Sequence, residues 1–117
     1  MSESEIKEFV RKFYEALDAG DADTAAALFP DGTVIKLWDG TTFYTQAEFR
    51  AWFVKLYSTS DEASREVTSL KVEGDKAEVE VVLKAKINGE EKTVKLKHIF
   101  EFKGDKLVRV EVSISPL

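Results

Sequence analysis

Apolar and polar positions alternate from Lys92 to Lys103. The even-numbered residues run Val94, Leu96, His98, Phe100 and Phe102, and the odd-numbered ones Thr93, Lys95, Lys97 and Glu101, with Ile99 the one apolar exception. A period of two means a β-strand with one face inward and one face in water. His98 therefore points into the core, and it is the only histidine in the chain. An unpaired buried polar group costs roughly 1–3 kcal/mol, so this imidazole needs a hydrogen-bond partner.

The patterning ahead of that strand is mostly helical. Ser2 and Glu5 stand at capping-box spacing before an apolar stripe of Ile6, Phe9, Val10, Phe13, Tyr14 and Leu17, which Gly20 stops. Asp21 caps a short second helix, Ala22 to Leu28, ended by Pro30 and Gly32. Thr33 to Trp38 and Thr42 to Tyr44 flank Asp39-Gly40 as a small hairpin. Thr45 and Glu48 form a second capping box, opening a helix with Phe49, Trp52, Phe53 and Leu56 on its apolar face.

From about Ala63 onward the pattern is of strands. Gly74-Asp75, Asn88-Gly89 and Gly104-Asp105 are two-residue turns that divide four of them into a meander. Ala77, Val79, Val81, Leu83 and Ala85 form one inward row, and Val108, Val110, Val112 and Ile114 another. Arg65 is in phase with Val67, while Leu70 and Val72 have the opposite parity, so a β-bulge is expected between them. Helices segregated from an antiparallel sheet make the fold α+β, and residues 1–117 read as a single domain.

Composition narrows the function. At 117 residues, 44% hydrophobic and 33% charged, the chain is long enough to bury one substantial core. A net charge of −5 without a basic patch argues against nucleic acid. With no cysteine and one histidine, disulfides, thiolate chemistry and the cysteine-containing zinc sites are excluded, and a transition-metal site is poorly supported. No apolar run approaches a membrane span and the start of the chain lacks a signal peptide's apolar segment, so no membrane partner and a cytoplasmic location are expected.

Four polar residues stand out against this background. Tyr14 lies on the apolar stripe of the first helix, where a buried ring needs a partner for its hydroxyl. Asp18 follows one turn later, near the helix C-terminus, where the macrodipole disfavours a carboxylate by roughly 0.3–1 kcal/mol. Arg65 has inward parity, where a guanidinium needs a counter-charge. The economical pairing is Asp18 with Arg65 and Tyr14 with His98. Read from the residues alone, both pairs serve equally well as a reactive constellation or as mutually satisfied core polar groups, and Asp18 and Arg65 could also be solvated apart. Asp23, Lys97 and Glu101 read as solvated surface.

The element order resembles the nuclear transport factor 2-like (cystatin-like) cone, in which three helices from the N-terminal half pack on a curved antiparallel sheet and enclose a pocket. The resemblance spans the whole chain. More narrowly, Glu15-Ala16-Leu17-Asp18, Gly20-Asp21-Ala22-Asp23-Thr24-Ala25-Ala26, Leu37-Trp38-Asp39-Gly40 and Ser58-Thr59 are similar to designed luciferases built on scaffolds of this fold. Their functional residues match at Tyr14, Asp18, Arg65 and His98, and Ser60, Leu96 and Val110 agree as well. The later strands depart from them at positions such as Lys97, Ile99 and Phe100, which look like a surface and packing resequenced around a retained site.

This resemblance implies oxidation of a coelenterazine-type imidazopyrazinone, most like diphenylterazine, by molecular oxygen as co-substrate, with light emitted and no cofactor or metal. Arg65 held by Asp18 would face the luciferin anion, and His98 with Tyr14 would lie beside its heteroaromatic core, His98 as candidate proton acceptor because its reference pKa is near 6.5. Apolar contacts are expected from Phe13, Trp38, Phe49, Trp52 and Phe53 in the first half and from Leu83, Leu96, Phe100 and Val110 on the strands. The expected partner is a small-molecule luciferin bound by a monomer. Two other classes stay open: proton transfer like that of ketosteroid isomerases, with Asp39 the nearest carboxylate, and an idle or purely ligand-binding scaffold.

Overall fold

The computed structural model describes residues 2–58, 60–87 and 89–115. Thr59, the Asn88 half of the second predicted turn, and the side chains of Ser58 and Ser60 lie outside the described residues.

Helix α1 (Glu3–Asp18) opens with both halves of its capping box: Ser2 Oγ accepts from the Glu5 N–H at 3.1 Å, and Glu5 Oε1 accepts from the Ser2 N–H at 3.0 Å. Its end is equally well defined. Gly20 at φ 69° lets the Asp21 N–H return to the Ala16 carbonyl at 3.0 Å and its own N–H to Leu17 at 3.1 Å, so the helix stops with Asp18 as its last residue. Helix α2 (Ala22–Ala27) is capped by the Asp21 carboxylate and is one residue shorter than expected, Leu28 serving as its C-cap. Strands β1 (Val34–Lys36) and β2 (Thr42–Phe43) pair antiparallel. They are shorter than the pattern suggested because Leu37 already donates to the Thr41 carbonyl at 2.8 Å to close the turn. In front of α3 (Gln46–Ser58), Thr45 Oγ1 accepts from the Glu48 N–H, while the Glu48 carboxylate accepts from the Tyr44 N–H.

The meander follows as β3 (Ser60–Glu73), β4 (Lys76–Ile87), β5 (Glu90–Lys103) and β6 (Lys106–Ser115). The six strands form one sheet in the order β2-β1-β6-β5-β4-β3. It is antiparallel throughout except where β6 lies parallel to β1, so the expected antiparallel sheet is mixed at that junction. There the buried Thr33 hydroxyl donates to the Leu107 carbonyl at 2.7 Å, tying the start of β1 to β6.

The inward rows decide what faces the helices. The predicted bulge in β3 is present: Val67 pairs with Val81 and Ser69 with Glu80, leaving Thr68 as the extra residue that reverses parity. A second register shift corrects the row on β6. Phe102 pairs with Leu107 but Glu101 with Arg109, so Val108 is the unpaired residue; it is exposed, and Leu107 takes the inward place. Below α1 the core is aromatic, with Phe100 edge-on to Phe9, Phe13 and Tyr14. Beyond it Phe43 of β2 packs on Phe49 and Trp52 of α3, and space is left between the helices and the rest of the sheet's inner face.

Candidate functional site

A cavity of about 200 Å³ lies between them, walled by α1, α3 and strands β1 and β3 to β6. Among the described residues only Arg65 and His98 bring polar side chains to its wall. Arg65 is carried inward by β3 just ahead of the bulge, opposite Leu83. His98 sits mid-strand on β5 between Val79 and Val112.

Asp18 and Arg65 meet as their spacing in the fold requires. Arg65 Nη1 donates to Asp18 Oδ1 at 2.9 Å, and the Arg65 backbone N–H donates to Oδ2 at 3.4 Å. The Arg65 side chain is 10% exposed and that of Asp18 33% exposed, so the carboxylate stands behind the guanidinium on the solvent side and does not reach the cavity itself. No basic residue occupies the last turn of α1, and Arg65 supplies the counter-charge that the helix terminus lacks.

Tyr14 and His98 are neighbours of a different kind from that expected. Their rings meet edge to face, centroids 5.4 Å apart at 68°, which sets ring against ring rather than hydroxyl against nitrogen. Tyr14 Oη and His98 Nδ1 are both buried without a hydrogen-bond partner among the described residues. Each orphan costs roughly 1–3 kcal/mol, a strain the apolar packing around them must offset. Burial pushes the Tyr14 hydroxyl well up, Arg65 offsetting part of the effect. Burial, with Arg65 adding to it, pushes His98 down to about 3, far below the reference value from which a proton acceptor was expected. The imidazole is neutral at pH 7 and a weak base.

Seven of the nine expected apolar contacts line the cavity: Phe13, Trp38, Phe49, Trp52, Leu83, Leu96 and Val110. Phe53 and Phe100 do not. Phe53 is stacked on Phe49 within the packed core, and Phe100 is fully buried in the aromatic cluster under α1. The wall also contains residues not singled out beforehand, and each carried a signal. Leu17 is one turn beyond Phe13, Leu56 one turn beyond Trp52, and Val94 has the parity of Leu96. Val112 and Ile114 continue the row of Val110, whereas Ile35 lies in a strand too short for alternation to be read and Leu37 just beyond it. Asp39 lies outside the wall; it is exposed in the hairpin turn, and the Thr41 N–H at 2.9 Å holds its carboxyl below the usual range. Its position removes the carboxylate on which a ketosteroid isomerase-like proton transfer would depend.

An apolar cavity with two converging polar groups is a scaffold for binding or converting a small molecule. Among the described residues no helix is long and apolar enough to cross a membrane. No sequence among curated proteins matches this chain. Solved structures share its fold. A nuclear transport factor 2-like protein of unknown function from Burkholderia pseudomallei is 20% identical, with 98% of this chain and 92% of that one covered and a TM-score of 0.86. An epoxide hydrolase from M. tuberculosis, described as LEH-like, is 14% identical over 96% and 84%, with a TM-score of 0.82. A de novo designed protein with a curved β-sheet is 22% identical over 99% and 89%, with a TM-score of 0.74. Such identities show the fold, and the fold is one that enzymes use. Residues 10–110 match the model of the SnoaL-like domain, and with most of its length matched the chain belongs to the SnoaL-like family.

Proposed function

We propose that this chain is a designed luciferase, oxidising a diphenylterazine-like imidazopyrazinone with molecular oxygen and emitting light. The observation that carries the reading is Arg65, the one charged side chain in the cavity wall among the described residues, held in place by Asp18 from behind. A fixed cation in a dry apolar site favours a delocalised aromatic anion, and its effect is larger there than in water.

The chemistry needs that anion. The luciferin loses its acidic proton, and the electron-rich carbon beside its carbonyl gives electrons to dioxygen and forms a C–O bond. The terminal peroxide oxygen then closes on the carbonyl carbon, whose bond to the ring nitrogen breaks with its electron pair leaving on that nitrogen, and a dioxetanone results. Its O–O and C–C bonds break together, carbon dioxide leaves, and the amide remains in an excited state. One atom of the dioxygen ends in carbon dioxide and the other in the amide, so no other oxidant, cofactor or metal enters the balance.

In this scheme Arg65 binds the anion and stabilises the charge that moves onto oxygen. Neutral His98 offers a hydrogen bond to the heterocycle, and an anion beside it raises its affinity for a proton, against the effect of Arg65. Tyr14 packs against the imidazole edge and holds its ring plane. The apolar wall excludes water from the excited product.

The test is photon counting with diphenylterazine in air. Emission well above a buffer blank, lost when oxygen is removed and reduced about 100-fold or more in Arg65→Ala, is expected. A folded protein that gives no light above the blank overturns the proposal. Binding without turnover is the second reading, favoured by the weak basicity of His98; it predicts a measurable dissociation constant for the luciferin with no emission.

A further inference from the structure

The cavity does not end at the inner face of the sheet. Strand β1 pairs with β6 only from Arg109 to Glu111, and the chain then turns away into the Leu37–Thr41 hairpin. Past Glu111, β6 therefore has no strand on that side among the described residues. A groove of about 740 Å³ occupies this notch and runs onto the outer face of the sheet, over Ile99, Lys97 and Ser113. Leu37, Trp38, Val112 and Ile114 wall both the groove and the cavity.

Two of these shared residues are unusual for their exposure. Trp38 is 48% exposed and Ile114 50%. Exposed apolar side chains at the mouth of an apolar cavity mark a surface that a ligand covers. The cavity alone is also small, since pockets enclosing a drug-sized ligand run roughly 300–1,000 Å³. A fused bicycle bearing aryl arms needs more room than it offers.

We propose that Trp38 and Ile114 are the jambs of a side port, and that an elongated aromatic ligand is held through it. The fused ring lies in the cavity beside Arg65 and His98, and one aryl arm passes between Trp38 and Ile114 onto Ile99 in the outer groove. Trp38 is then the specificity-determining residue, selecting ligands that carry an arm and covering that arm from water. The hairpin gives it a defined position, because the Leu37 N–H donates to Thr41 O at 2.8 Å and the Gly40 N–H to Leu37 O at 3.1 Å. The identity of the ligand rests on the luciferase reading, whereas the port rests on the notch.

The experiment compares diphenylterazine with a truncated imidazopyrazinone lacking the aryl arm. Binding of each ligand's stable amide product is measured by fluorescence titration, alongside light output, on the full chain and on Trp38→Ala, Ile99→Asp and Ser113→Trp. Trp38 and Ser113 are exposed and Ile99 half-buried on the outer face, so thermal melts close to that of the parent are expected. Ser113→Trp fills the groove from outside, and Ile99→Asp places a charge where the arm would rest. Each variant is expected to weaken the armed ligand about tenfold and the truncated one less than twofold. Equal effects on both ligands, or none on either, overturn the port. If no protein emits light while the selective weakening is seen in the titration, the luciferase reading fails and the port stands.

Discussion

Arg65 keeps its charge in an apolar wall because Asp18 is within hydrogen-bond distance, and Asp18 tolerates the end of a helix because Arg65 is there. Neither residue is comfortable alone. Asp18→Ala leaves a guanidinium nine-tenths buried without its counter-charge, a change that costs about 3 kcal/mol, the low end for breaking a buried pair because the carboxylate is a third exposed. Chemical denaturation should show that loss, and light output should fall with it as Arg65 loses its orientation. An unchanged denaturation midpoint would mean that solvent already screens the pair. The pairing was legible in the sequence from two misfits, an acid at a helix C-terminus and a base at an inward strand position. The Tyr14–His98 relation was legible only as proximity. Whether two buried rings meet through their polar atoms or through their edges depends on packing angles that no spacing encodes.

At the level of elements, the reach of Asp18 is set by where α1 stops, and that is set by Gly20. Its φ of 69° is a conformation a Cβ disfavours by roughly 1–2 kcal/mol, so Gly20→Ala should lower stability by about that much. It should also weaken emission, because an altered last turn moves Asp18 relative to β3. A variant of full stability and brightness would show that the turn adapts without strain. Boundaries of this kind were readable because capping residues and glycines are local signals. The register of β6 was not. Val108 sits in an unbroken alternation with Val110 and Val112, and only pairing with β5 reveals that the extra residue falls there and that Leu107 faces the core. The parallel partnership of β1 with β6 was hidden for a related reason, since three residues carry too little periodicity to announce a neighbour distant in sequence.

Across the whole molecule, the buried neutral imidazole makes folding sensitive to acid. His98 has a folded pKa near 3 against about 6.5 when unfolded, so between those values the unfolded chain binds the extra proton. Stability is therefore complete above about pH 6.5 and falls on acidification by about 1.4 kcal/mol per pH unit until the folded pKa is reached. Denaturation followed from pH 7 to 5, where most carboxylates remain ionised, should show that slope in the parent and a flatter profile in His98→Gln. Parallel profiles would place the acid sensitivity elsewhere. The cavity that His98 lines also bears on volume. An apolar cavity that side chains leave unfilled is loosely packed space that disappears when the chain unfolds, so the unfolded protein occupies less space, by an amount that scales with that space and is typically about 20–100 mL/mol. Hydrostatic compression therefore favours unfolding, and a ligand that fills the cavity removes much of that advantage, making the ligand-bound protein the more barotolerant.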